Sequence, residues 1–283
     1  MTVTDRELTA FAASHDIISL GVAADEVRLQ LHGSRTTFVR VANVDATPGS
    51  EVQIPRSAGE IRVVGVPGTR AAAVQRVRQV LAAAGPTPVS AFSLADLEQL
   101  ASAEQVPLRA LLDELKVEGL DFIADAPFDR LLDPRLAIEA LKLAGLSLAR
   151  LTIQTLPSSD GPALYRQVAA LQTDVGVIRT FAPLPRALNP AVPTTGYDDV
   201  RRVALARLFV TNIPSIQVDW SLYGPKLAQV ALTVGADDVD GVSPADDTGE
   251  GRRRSPLEEV RRNIQAASFE PVERDGRFDH RIV

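Results

Sequence analysis

The stretch TTGYDDVRRVALARLFVTNIPSIQVDWSLYGPKLAQVALTVGADDVDGV (residues 194–242) reads as helix, strand, helix, strand. Thr194 or Thr195 can cap the first helix, and Asp198 and Asp199 place negative charge in its first turn, where the helix dipole favours it. Val200, Val203, Ala204, Ala206 and Leu208 recur at helical spacing, and Pro214 stops the run. IQVDW follows as a strand, residues 224–234 as a helix and residues 237–241 as a short Asp-rich strand.

Working backwards, the alternation repeats. Strands are expected at residues 37–44, 60–66, 88–92, 121–124, 150–155 and 175–181, rich in Val, Ile and Phe. Helices are expected at 69–85, 93–101, 107–118, 134–145 and 160–171, with Ser93 capping the second of these. Strands separated by helices predict a parallel sheet, and their number predicts an α/β fold of the TIM-like (β/α) barrel type. One domain, residues 1–283, is expected. Residues 1–33 form a helical layer beneath the barrel, broken near Gly21 and ended by Gly33. His32 sits after that last turn, where a cationic imidazole would complement the helix end.

One unit breaks the pattern. Between the first two strands lies ATPGSEVQIPRSAG, with two Pro and two Gly and no helical periodicity. A parallel crossover needs about a dozen residues, so the connection is feasible without a helix, and EVQI can add a short strand. The first barrel helix is expected to be missing.

Composition narrows the function. The net charge of −6 over 283 residues argues against a nucleic-acid surface. No apolar run reaches the roughly 20 residues of a membrane span, and the N-terminus lacks a basic-then-apolar leader, so a cytoplasmic location is the expectation. There is no cysteine, which excludes disulfides, thiolate metal sites and a Cys nucleophile. No G-x-S-x-G, Walker, Rossmann or zinc pattern appears.

Strand C-termini and the following loops form the ligand mouth of such barrels. The polar residues placed there are Asn43, Asp45, Asp125, Gln154, Arg179, Asp219, Tyr223, Asp240 and Ser243. Each alone is an ordinary cap or loop residue; together they suit a ribose or a carboxylate. The proline-rich APLPRALNPAVP (residues 182–193) is long enough to lie across this mouth. Asp237, Asp238 and Asp240 lack calcium-loop spacing, so no metal is expected. The acidic-then-basic run 246–254 reads as a solvated loop.

Four blocks carry a family resemblance: TTGYDD-RRVALARL, GPKLAQVAL-GADD-DG, EPVERD, and ADEVRLQLHGSRTTFVRV (residues 24–41). They resemble the radical S-adenosylmethionine aminofutalosine synthases of the futalosine route to menaquinone, close relatives of the deazaflavin cofactor synthases. The resemblance implies a four-iron cluster on a CxxxCxxC loop after the first strand, and a glycine triplet after the fourth strand that helps to receive S-adenosylmethionine. Here the loop has no cysteine, and Ala124, Asp125 and Ala126 stand where the glycines would be. Cβ atoms obstruct a backbone that must approach a ligand. No iron–sulfur cluster is expected, radical chemistry is closed, and S-adenosylmethionine binding is in question.

Two readings follow. The first is a non-catalytic homologue acting as a binding or partner protein, for a pathway enzyme or a nucleoside-like ligand. The alternative is a cluster-independent enzyme using Asp45, Asp125 or Asp219 for acid–base work on a nucleoside or a chorismate-derived aryl carboxylate. A mouth with polar residues converging on one cavity favours the second; a filled mouth with a large apolar outer patch favours the first.

Overall fold

The fold was taken from a computed structural model, which describes residues 5–155, 161–187, 195–246 and 254–281. The chain opens with α1 (Asp5–Ala13) and α2 (Ile17–His32). Asp16 caps α2 by accepting from the Ile18 and Ser19 amides, and Gly33 ends it at φ 61°. The break in this helical layer is therefore at residues 14–16, not at Gly21. Gly21 lies inside α2, buried, where an added Cβ would stand 3.1 Å from the Val234 side chain. Close packing, rather than helix breaking, explains that glycine.

β1 (Arg35–Asp45) leads to β2 (Glu60–Val64) through residues 46–59, which hold no helix and no strand. The first barrel helix is absent, and the possible strand at EVQI does not form. Then come α3 (Arg70–Ala84), β3 (Val89–Ser93), α4 (Leu94–Ala103), α5 (Leu108–Val117) and β4 (Phe122–Pro127). Thr69 caps α3 with its side chain, and Gly85 terminates it at φ 58°. That is the stop a residue without Cβ supplies at no steric penalty. Ser93 occupies the cap position of α4 but makes no side-chain cap bond. On α5, Leu111, Leu112 and Leu115 are fully buried, each worth about 1.5–3 kcal/mol.

The second half adds α6 (Pro134–Leu143), β5 (Ser147–Ile153), α7 (Gly161–Val175), β6 (Ile178–Pro185), α8 (Gly196–Phe209), β7 (Ser215–Asp219), α9 (Trp220–Leu232), β8 (Asp238–Val242), α10 (Pro256–Ala266) and β9 (Glu270–Glu273). Thr195 and Asp198 form a capping box at the start of α8. Every residue from Val203 to Phe209 is buried, because α2 packs along the face of α8 turned away from the sheet. Half of the proline-rich stretch 182–193, residues 188–193, lies outside the described residues, as does most of the run 246–254.

Strands β2 through β8 and then β1 are neighbours in that order, all parallel, and β1 pairs again with β2 to close the ring. The expected TIM-like (β/α) barrel is the fold. β9 was not foreseen. β1 is twice as long as β2, so its C-terminal half pairs with β2 (Val41↔Glu60 to Asp45↔Val64). Its N-terminal half is left for β9 (Arg35↔Glu270 to Phe38↔Glu273). Pro271 is tolerated because β9 is an edge strand.

The apolar core lies between strands and helices. The lumen is different. Barrels of this kind are commonly filled by branched apolar layers, whereas this one holds Glu60, Arg62, Arg150, Gln217, Asp238, Asp240 and Arg274, all buried.

Candidate functional site

Charge in a dry lumen must be paired, and the network does this strand by strand. Arg62 of β2 donates to both Glu60 oxygens at 2.9 and 3.1 Å and to both Asp240 oxygens at 3.1 and 2.8 Å. Arg150 of β5 reaches Asp240 at 3.1 Å from the other side. Ser90 of β3 donates to Glu60 at 2.6 Å. Burial pushes the Asp240 carboxyl up, but Arg150 and Arg62 more than reverse this and hold it well below the usual carboxylate range. Glu60 is lowered by the same balance. One layer further down, Arg274 donates to both oxygens of Asp238 at 2.6 and 2.7 Å.

Above this network, at the C-terminal ends of the strands, opens a cavity of about 310 Å³. Arg62 and Arg150 form part of its floor. Asn43 and Gly65 line it on one side, Phe92, Ser93 and Asp96 on the next, then Asp125, Arg130, Gln154, Arg186, Asp219 and Ser221. Ser93 and Asp125 are register partners on β3 and β4, so their side chains leave the sheet on the same face. Phe92, just before Ser93, holds a positive φ of 59°, a strained conformation of the sort found at ligand sites.

Among the described residues, three that line the cavity carry a buried polar atom with no hydrogen-bond partner: Ser93 Oγ, Asp125 Oδ1 and Arg150 Nε. Buried polar atoms are rarely left unpaired, because each costs about 1–3 kcal/mol. Asp96 pairs with Arg130 at 3.3 Å. Burial pushes its carboxyl up, against the pull of Arg130, and neighbouring Asp125 adds to the push.

The sequence candidates divide. Asn43, Asp125, Gln154 and Asp219 line the cavity. Asp219 is already committed: it accepts from Arg186 at 2.6 Å, from Ser221 at 2.7 Å and from the Leu222 amide as the cap of α9. Asp240 lies beneath the floor, consumed by the two arginines. Asp45 points away, exposed, accepting from the Thr47 amide at 2.7 Å. Tyr223 donates to the Pro185 carbonyl, and burial raises its phenol well above the ordinary value. Ser243 lies in the neighbouring groove beside Trp220 and Pro256.

Arg179 was misplaced altogether. β6 begins at Ile178 and runs on to Pro185, so Arg179 stands at the bottom of the barrel, not at its mouth. His32 also departs from expectation: burial lowers its pKa despite Asp237 at 3.4 Å, so the imidazole is less easily charged than a free one. Sequence reasoning missed Ser93, Asp96, Arg62, Arg150 and Arg186. Arg62 and Arg150 alternate with apolar neighbours in EIRVV and LARLTI, and a charge at an inward strand position was the available signal.

The cofactor implied by the resemblance does not suit these residues. A thiolate-held cluster needs cysteines in the loop after β1; residues 46–59 are described throughout and contain none. Among the described residues no three His, Cys, Asp or Glu side chains come together to hold a metal. Among them, too, no helix is long and apolar enough to cross a membrane.

Residues 184–283 match the family model for the CofH/MqnC C-terminal region. Aminodeoxyfutalosine synthase of Thermus thermophilus is 28% identical over 67% of this chain and 59% of its own length. Cyclic dehypoxanthine futalosine synthase of Streptomyces coelicolor is 23% identical over 69% of this chain and 55% of its own. The chain thus spans somewhat more than half of these relatives. Among solved structures, methylornithine synthase superposes with a TM-score of 0.68 over 96% of this chain and 94% of that one, at 14% identity, a likeness of fold. This cysteine-free chain is similar to the aminodeoxyfutalosine and cyclic dehypoxanthine futalosine synthases, and its C-terminal third matches the CofH/MqnC C-terminal region.

Proposed function

We propose that this protein is a cluster-free homologue of aminodeoxyfutalosine synthase that binds a small, hydroxyl-rich, nucleoside-like ligand at its barrel mouth. It acts in menaquinone (futalosine) biosynthesis, in the cytoplasm, as a binding or partner protein rather than a radical enzyme. The open polar cavity with Ser93 Oγ, Asp125 Oδ1 and Arg150 Nε left unpaired carries the ligand-binding part of this reading. It counts equally for a cluster-independent enzyme, and what favours binding alone is that Asp45 and Asp219, two of the three acids considered for catalysis, are not free in the cavity. An acceptor, a hydroxyl and a donor converging within about 310 Å³ match the alternating donors and acceptors of a ribose or a carboxylate-bearing ring, at the small end of ligand pockets. An iron–sulfur cluster has no part in it, and S-adenosylmethionine is not its expected ligand.

A second reading rests on Asp96. A carboxyl with raised proton affinity beside Asp125 is an arrangement for acid–base work, which keeps a cluster-independent enzyme in view. Of the acids first considered, Asp45 lies outside the cavity and Asp219 is engaged, leaving Asp125.

The test is thermal shift against adenosine, aminofutalosine, S-adenosylmethionine and chorismate-derived carboxylates. A ligand at about 100 times its Kd adds roughly 2.7 kcal/mol. Stabilisation by one nucleoside-type compound, lost in Ser93→Ala and Asp125→Asn, is the expected result. No response to any compound, or a response that both variants keep, overturns the reading.

A further inference from the structure

The barrel has a second cavity at its opposite end. About 210 Å³ opens at the N-terminal ends of β1, β6, β7 and β8, lined by His32, Arg35, Arg179, Asp237, Arg274 and Phe278 among others. The geometry points to an oxyanion site there, for inorganic phosphate or a phosphomonoester, separate from the mouth and independent of what the mouth binds.

Donors without acceptors line this cavity. Asp237, the carboxylate in this wall, has its Oδ1 engaged by Arg207 and by the Ile216 amide at 2.9 Å, and its Oδ2 lies 3.4 Å from His32 Nε2 rather than against Arg35 or Arg179. Arg274 is spent on Asp238. Among the described residues no carboxylate pairs with Arg179 or Arg35. Arg179 stands with its Nε buried and without an acceptor, its guanidinium 5.2 Å from the Phe278 ring centroid. His32 Nε2 is likewise buried without a hydrogen-bond partner. Two guanidiniums, Arg35 and Arg179, therefore face a space of phosphate size with no carboxylate of the described residues paired to them, beside an imidazole whose Nε2 lies 3.4 Å from Asp237 Oδ2. A guanidinium fork held on an aromatic face is preorganised for phosphate oxygens.

The chain also spends strain on this end. Phe278 sits at a positive φ of 71°, unusual for a bulky residue. The turn is held by Asp275 Oδ1, which accepts from the Arg277 and Asp279 amides at 2.8 and 3.0 Å. Its effect is to bring one ring between Arg179 and Arg274, whose guanidiniums lie 5.2 and 4.2 Å from its centroid.

Inorganic phosphate is the probe, titrated against sodium chloride at matched ionic strength so that screening is held constant. Thermal shift and the nitrogen-15 signals of His32 are followed together. Wild type should show saturable stabilisation and a shift of the His32 ring signals. Arg179→Gln should weaken phosphate at least tenfold and Arg35→Gln about threefold. Arg35 is exposed, so Arg35→Gln and the His32 signals carry the test if Arg179→Gln fails to fold. A non-saturating response, an unmoved His32 signal, or unchanged affinity in the variants that fold would overturn the assignment. The mouth's response to nucleosides plays no part in either result.

Discussion

Asp240 shows what a single side chain does in a charged lumen. Its two oxygens receive Arg62 and Arg150 from strands on opposite sides of the barrel. Removing the acid leaves two buried guanidiniums facing each other with only Glu60 between them. Breaking a buried pair in this way costs about 3–5 kcal/mol, so Asp240→Asn should lower the urea midpoint by the corresponding amount with little change in slope. Ser93→Ala is the contrast. Its hydroxyl has no partner to lose, so stability should stay within about 0.5 kcal/mol while ligand response at the mouth disappears. A variant that is stable yet deaf to ligand separates a binding residue from a packing one.

At the scale of the element, helix ends and glycine turns bear the weight. Thr195 and Asp198 satisfy each other's backbone amides at the start of α8, the helix that joins α2 to the sheet. Thr195→Ala should cost about 1 kcal/mol, read as a drop in melting temperature. The turn before β8 is less forgiving. Gly235 has φ 115°, and an added Cβ would stand 2.7 Å from Arg207 Cβ. Arg207 is fully buried and paired with Asp237, so it has nowhere to move. Gly235→Ala should destabilise by more than the 1–3 kcal/mol of backbone strain alone; a loss under 1 kcal/mol in chemical denaturation would contradict this packing.

For the whole molecule, the paired lumen sets the response to acid. The folded pKa values of Glu60 and Asp240 lie below their ordinary ones. Their contribution is therefore complete above the unfolded carboxylate value of about 4, and is lost as pH falls below it toward the folded values. Stability measured by denaturant at a series of pH values should fall steeply below about pH 4. Asp240→Asn should have a shallower acid limb, because one of the linked carboxylates is gone. After incubation with iron and sulfide and removal of the excess, the protein should retain neither iron nor acid-labile sulfide; a retained protein-bound cluster would overturn the cluster-free reading.

Much of this was legible in the chain. Strand and helix order, the missing first helix, the cap at Thr195 and the stops at Gly33 and Gly85 all follow from spacing along a few neighbouring residues. The want of cysteine is likewise a property of composition. What only the tertiary structure decided is which end of a strand each polar residue reaches and whom it meets. Arg179 fell to the bottom because β6 begins at Ile178 and runs past residue 181, and strand ends are set by neighbours on the sheet. Asp240 became a floor group because barrel closure brought β8 within reach of β2, on the far side of β1, and of β5 across the lumen. β9 formed because the long β1 had half an edge unfilled. Local periodicity encodes elements; pairing of buried charge and completion of a sheet depend on contacts far apart in sequence, which exist only once the barrel has closed.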